Sequence, residues 1–127
     1  MAILKRAKLF EAELKLMGLL WVHGSMPAKE LALLARRSIG WNKNTTYTIA
    51  NKLADKAVLL RKEPNFVCVP LITREEALRA EADTLIDRYC WGSIRQFLQT
   101  LLSDDRLTWW ELDELRQRIE TLMEKRI

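Results

Sequence analysis

Histidine occurs once in the 127 residues, at His23, and cysteine only twice, at Cys68 and Cys90. A single imidazole leaves a His-based metal site or a Ser-His-Asp triad without its parts. The two cysteines have neither C-x-x-C nor metal-ligand spacing, and they read as buried or free thiols in a reducing compartment. The four glycines, at 18, 24, 40 and 92, are too dispersed to cradle a phosphate. No cofactor, metal ion or catalytic activity is expected. The longest nearly apolar run, residues 16–22, is interrupted by Gly18, whereas a membrane span needs about 20 residues. Residues 1–9 carry the charges of a signal peptide without its apolar segment or small-residue cleavage site. The chain therefore reads as cytoplasmic, with no membrane partner, and it contains no internal repeat.

What is present is charge, unevenly spread. The formal net charge is only +4. Residues 1–72, however, hold twelve Lys/Arg against five Asp/Glu, a net of +7, and residues 73–127 hold nine against twelve, a net of −3. A basic first part joined to an acidic second part suggests that the first meets an anion, the alternative being a solvated basic face.

Residues 11–22 have helical spacing, with Leu14, Met17, Leu20 and Trp21 on one stripe and Gly24 suited to a left-handed position after the end. Pro27 suits the first turn of a second helix over residues 28–37, with Leu31, Leu34 and Ala35 facing inward. Asn42 reads as the N-cap of a third helix, residues 43–56, whose inner face is Thr46, Ile49, Ala50 and Leu53. Its opposite face carries Asn44, Thr45, Tyr47, Thr48, Asn51 and Lys52. These side chains can donate and accept hydrogen bonds, and none is acidic. Such a surface suits phosphates and base edges, the alternative being a chance polar run.

Residues 58–62 and 66–69 favour strand around the turn Glu63-Pro64-Asn65, which predicts a hairpin with Arg61 and Lys62 at its tip. From residue 73 onward the pattern is helical. Thr73-Arg74-Glu75-Glu76 and Thr108-Trp109-Trp110-Glu111 are capping boxes, and Gly92-Ser93 breaks the first helix they open. The apolar positions Leu85, Ile86, Tyr89, Phe97, Leu98, Leu101, Leu102, Leu112, Leu115 and Ile119 exceed what one small globule hides easily. A homodimer would bury them by pairing the same patch twice, the alternative being a self-contained bundle. The fold expected is mainly α: a winged helix-turn-helix of three helices and a small β-hairpin over residues 1–72, then a helical dimerisation region over residues 73–127.

Several runs sharpen this reading. Leu9-Phe10-Glu11-Ala12-Glu13-Leu14, with Met17 and Trp21, is similar to L-T-x-A-E-W-x-x-M-x-x-x-W. The run from Gly40-Trp41-Asn42 to Lys52-Leu53 resembles G-W-S-x-x-T-V-Y-T-x-x-x-R-L. Ala28-Lys29-Glu30-Leu31, Pro70-Leu71-Ile72-Thr73 and Leu107-Thr108 with Glu111-Leu112 and Glu114-Leu115 extend the similarity from Leu9 to Ile119. The whole resembles the penicillinase-repressor family of bacterial transcription regulators.

That resemblance implies a homodimer that blocks transcription from a pseudo-palindromic operator on double-stranded DNA, controlling antibiotic-resistance genes such as a β-lactamase, or metal-homeostasis genes. It places the DNA contacts on Asn44, Thr45, Tyr47 and Thr48, with Asn42, Lys43 and Lys52 nearer the backbone, and the hairpin adds Arg61 and Lys62. A sensor-protease is the implied partner of the β-lactam branch, and an ungapped match puts its cleavage position at Thr100-Leu101. The paired C-x-C motifs of the copper-responsive branch are absent, although Cys68 and Cys90 leave a metal or redox signal open. Ala57 stands where the family has glycine; at a left-handed site it would cost on the order of 1 kcal/mol. The competing reading from a different class is a helical protein-interaction module that does not bind DNA.

Overall fold

The computed structural model describes residues 8–127; most of the segment compared above with a signal peptide lies outside them. The chain divides into two compact units, the first ending at Thr84 and the second spanning residues 85–127. Their boundary falls within one helix, beyond Thr73, where the sequence suggested a division.

The first unit opens with α1, Glu11–His23. Its start is stabilised by Glu13, whose Oε1 accepts the Phe10 N–H at 2.8 Å. Leu16, Met17 and Leu20 are buried, and Glu13 lies on the same stripe at 2% exposure. The helix is thus turned by one residue from the stripe read in the sequence. Leu14, expected inside, is 48% exposed, because the inward position beside it is taken by a carboxylate that finds a cation there. Gly24 ends α1 with φ 88° and ψ 177°. The positive φ is as expected, but the residue occupies an extended glycine-only region rather than the left-handed helical well.

Met26–Pro27 forms a short strand, β1, that the sequence did not announce. Pro27 is therefore the N-cap of α2, Ala28–Ser38, rather than a residue of its first turn. It was misplaced because its φ of −59° suits both positions, whereas its ψ of 146° is that of a strand. Ala28, Leu31, Ala32 and Ala35 are the buried positions of α2, and Leu34, read as facing inward, is half-buried. After a turn through Ile39 and Gly40, α3 spans Lys43–Asp55 and packs on both α1 and α2.

The hairpin is formed by β2, Leu59–Lys62, and β3, Val67–Pro70, in antiparallel register with Arg61 opposite Cys68 and Lys62 opposite Val67. The sheet order is β1-β3-β2, so β1 ties the wing to the residues just before α2. One core of Leu16, Met17, Leu20, Leu31, Leu53, Val58 and Cys68 joins helices and sheet. The Trp21 indole N–H donates to the Ile72 carbonyl at 2.9 Å, fixing the exit from β3.

Helix α4, Arg74–Cys90, opens with the expected capping box: the Thr73 N–H donates to Glu76 Oε1, and the Glu76 N–H donates to Thr73 Oγ1, both at 3.0 Å. Helices α5, Ile94–Leu101, and α6, Trp109–Lys125, follow. Ser93 caps α5 through the Gln96 N–H, and Thr108 with Glu111 forms the second capping box. Among the described residues, no helix is long and apolar enough to cross a membrane.

Candidate nucleic-acid interface

The N-terminal turn of α3 is held by Asn42, whose Oδ1 accepts the Thr45 N–H at 2.8 Å. With Thr46, Ala50 and Leu53 buried, the helix is oriented so that Asn44, Thr48, Asn51 and Lys52 are exposed along one face. Asn42 and Lys43 are exposed at its start, while Thr45 and Tyr47 are half-buried at the margin. No acidic residue lies in the first turn, so nothing there opposes an approaching anion at the positive end of the helix dipole.

The opposite end of α3 is pinned by a pair that the sequence reading did not identify. Lys56 Nζ donates to Glu13 Oε1 at 2.6 Å and to the Lys8 carbonyl at 2.7 Å, and it lies 4.4 Å from the centroid of the Phe10 ring. The buried carboxylate thus has both a cation and a backbone N–H as partners. Beyond Lys56, Ala57 adopts φ 61°, the left-handed value at which alanine is strained. Its N–H donates to the Ala54 carbonyl, and the Val58 N–H donates to the Leu53 carbonyl, closing a Schellman turn usually made with glycine.

Lys62 is exposed at the end of β2. Arg61, read in the sequence as lying at the hairpin tip, is also exposed but folds back toward the turn. Its Nε donates to Glu63 Oε1 at 2.9 Å, and its guanidinium lies 4.0 Å from the centroid of the Phe66 ring. Phe66 in turn meets Tyr47, with centroids 6.0 Å apart, and Lys43 Nζ lies 5.7 Å from the Tyr47 ring. Phe66 was absent from the candidate residues. A lone aromatic after a turn carries no sequence signal of such a contact.

Both thiols are free and buried. Burial pushes the Cys68 thiol up to about 11, against a smaller opposing pull from Arg61. Among the described residues, no group of three or more His, Cys, Asp or Glu side chains converges to hold a metal.

In the second unit, α5 and α6 have no buried residue. Leu98 and Leu101 of α5 and Leu102 just after it are exposed, with Phe97 half-buried, and Leu112, Leu115 and Ile119 of α6 lie 45–54% open. Of the residues assigned to a dimer interface, Leu85 and Tyr89 are exposed, but Ile86 is already covered at 7% exposure. On α6, Arg116 meets Asp113 at 2.6 Å and Glu120 at 2.7 Å. The hydrogen bond from Arg116 holds the Asp113 carboxyl below its usual range. Thr100 and Leu101 are both exposed at the end of α5.

Three packed helices with a hairpin beside the third, whose first turn is free of acid, define a winged helix-turn-helix protein. The model of the penicillinase repressor family matches residues 9–121. The chain is also 25% identical over 118 residues to a penicillinase repressor of Bacillus licheniformis, covering 91% of this chain and 92% of that protein. The chain belongs to the penicillinase repressor family, a family of transcriptional regulators and not of enzymes, and is at that level a bacterial transcriptional repressor.

Proposed function

We propose that two copies of this chain bind a pseudo-palindromic operator on double-stranded DNA, each inserting the N-terminal turns of α3 into a major groove. The observation that carries this reading is the exposed polar face of Asn44, Thr48, Asn51 and Lys52, which meets no acidic residue before Asp55 in the last turn, set on a helix buried along its other side. Amide and hydroxyl side chains read base edges, and Lys43, Lys52 and Lys62 supply cations for phosphates. Residues 1–72 act as the reader. Residues 73–127 act as the clasp, because the open apolar stripes of α5 and α6 need a partner and a second copy supplies one of the same shape. A sensor-protease as the releasing partner is carried into this reading from the family resemblance. Control of antibiotic-resistance or metal-homeostasis genes completes it.

Selection from a random duplex pool, followed by anisotropy titration over a range of salt, tests the proposal. Enrichment of a two-fold symmetric site is expected, with half-sites about one helical turn or a multiple apart and affinity falling steeply with salt. An unenriched pool together with no binding to random duplex would favour the interaction module that does not touch DNA.

A further inference from the structure

We propose that Phe66 is a positioning residue for DNA reading, acting by holding the Arg61 guanidinium of the wing in a fixed relation to Tyr47 on α3; this rests on the DNA-binding function proposed above. Lys43, Tyr47, Phe66 and Arg61 form a continuous run of cation, ring, ring and cation from the first turn of α3 to the wing. Three of the four are candidate DNA contacts, and Phe66 is the link between the helix side and the wing side.

The backbone of Phe66 shows that the fold holds it in place. Its φ is 48°, a conformation a bulky side chain rarely adopts. The residue is kept there because its carbonyl accepts the Ala28 N–H at 2.9 Å, tying the turn to the start of α2. The ring is thereby fixed relative to the helices, and the guanidinium stacked on it is fixed in turn.

A guanidinium on a surface hairpin ordinarily samples many rotamers and loses that freedom when it meets a phosphate. Here the stack sets its plane and Glu63 takes Nε. Among the described residues Arg61 donates through Nε alone, so the two terminal nitrogens form an edge suited to a phosphate. Phe66 thus prepares a contact it does not itself make.

The test compares full-length wild type, Phe66→Gly, Phe66→Tyr, Arg61→Gln and the double variant Phe66→Gly/Arg61→Gln by anisotropy on selected and random duplex over several salt concentrations. Glycine accepts φ 48° without strain, so Phe66→Gly removes the ring while favouring the same turn. It is expected to bind the selected site about tenfold more weakly, with the salt slope lowered by roughly one per half-site. Phe66→Tyr keeps the ring and should stay within about twofold of wild type, and in the Arg61→Gln background Phe66→Gly should add little. Wild-type affinity and slope in Phe66→Gly would overturn the proposal, as would an undiminished loss in the Arg61→Gln background. If circular dichroism shows Phe66→Gly unfolded, Phe66→Leu replaces it with the same expected loss. A wild type that prefers no sequence overturns the DNA reading itself, and that appears in the first titration, before any variant is compared.

Discussion

Glu13 is a charged residue on the buried stripe of a helix, and its partner lies 43 residues away. Removing either side chain tests how much that pairing contributes. Lys56→Met leaves the carboxylate covered and short of its cation, and should lower the unfolding free energy by about 3 kcal/mol in urea denaturation. Glu13→Gln keeps an acceptor for the Phe10 N–H and leaves an ammonium that is a quarter open to water, so its cost should be nearer 1 kcal/mol. Equal losses would show that packing rather than charge dominates the site. Ala57 offers the opposite test: glycine relieves its positive φ, and Ala57→Gly should stabilise the fold by about 0.5–1 kcal/mol. The family comparison in the sequence had already marked this position. Cys68 carries a pH signature. Its folded thiol titrates near 11 against an ordinary value of 9.0, so burial favours the neutral form. That stability is fully present below pH 9.0 and is lost as pH rises toward about 11. Relative to Cys68→Ala, wild type should lose up to about 2–3 kcal/mol over this window, while the folded thiol stays unreactive toward a disulfide reagent at pH 8.

Element boundaries were the most legible part of the chain, wherever short-range chemistry sets them. Asn42, Thr73 with Glu76, and Thr108 with Glu111 all cap the helices that the sequence assigned to them, while Ser93, read only as part of a break, also caps α5. Side-chain orientation was less legible. Periodicity gave α1 its helix but placed the stripe one residue off, since a reading by hydropathy assigns a glutamate to solvent. Strand β1 was missed because two residues have no period of their own; they become a strand only when β3 pairs with them. At this scale the exposed face of α3 makes a direct prediction. Thr48→Ala should weaken binding to the selected operator by roughly 1–3 kcal/mol while leaving random duplex nearly unaffected. Equal losses on both, in parallel anisotropy titrations, would assign Thr48 to positioning rather than reading.

For the molecule as a whole, charge and apolar surface are segregated along the chain. The basic residues concentrate before Thr73, and the open leucine stripe of α6 lies in the acidic part. If that stripe pairs with a second copy, Leu115→Asp should weaken self-association by about 3 kcal/mol, more than 100-fold, as measured by sedimentation equilibrium. Operator affinity should fall with it, because half-sites are then no longer read together. A variant that still sediments as a dimer would move the interface elsewhere. Composition, caps, turn residues and the polar face of α3 are local properties, and the sequence by itself determined them through side chains that act within one or two turns of their own backbone. Tertiary structure alone decided that Glu13 lies inside, that Met26–Pro27 joins the sheet, and that Phe66 stands between Arg61 and Tyr47. Each of these depends on groups far apart in the chain. Their meeting is set by the packing of whole elements, which no local pattern records.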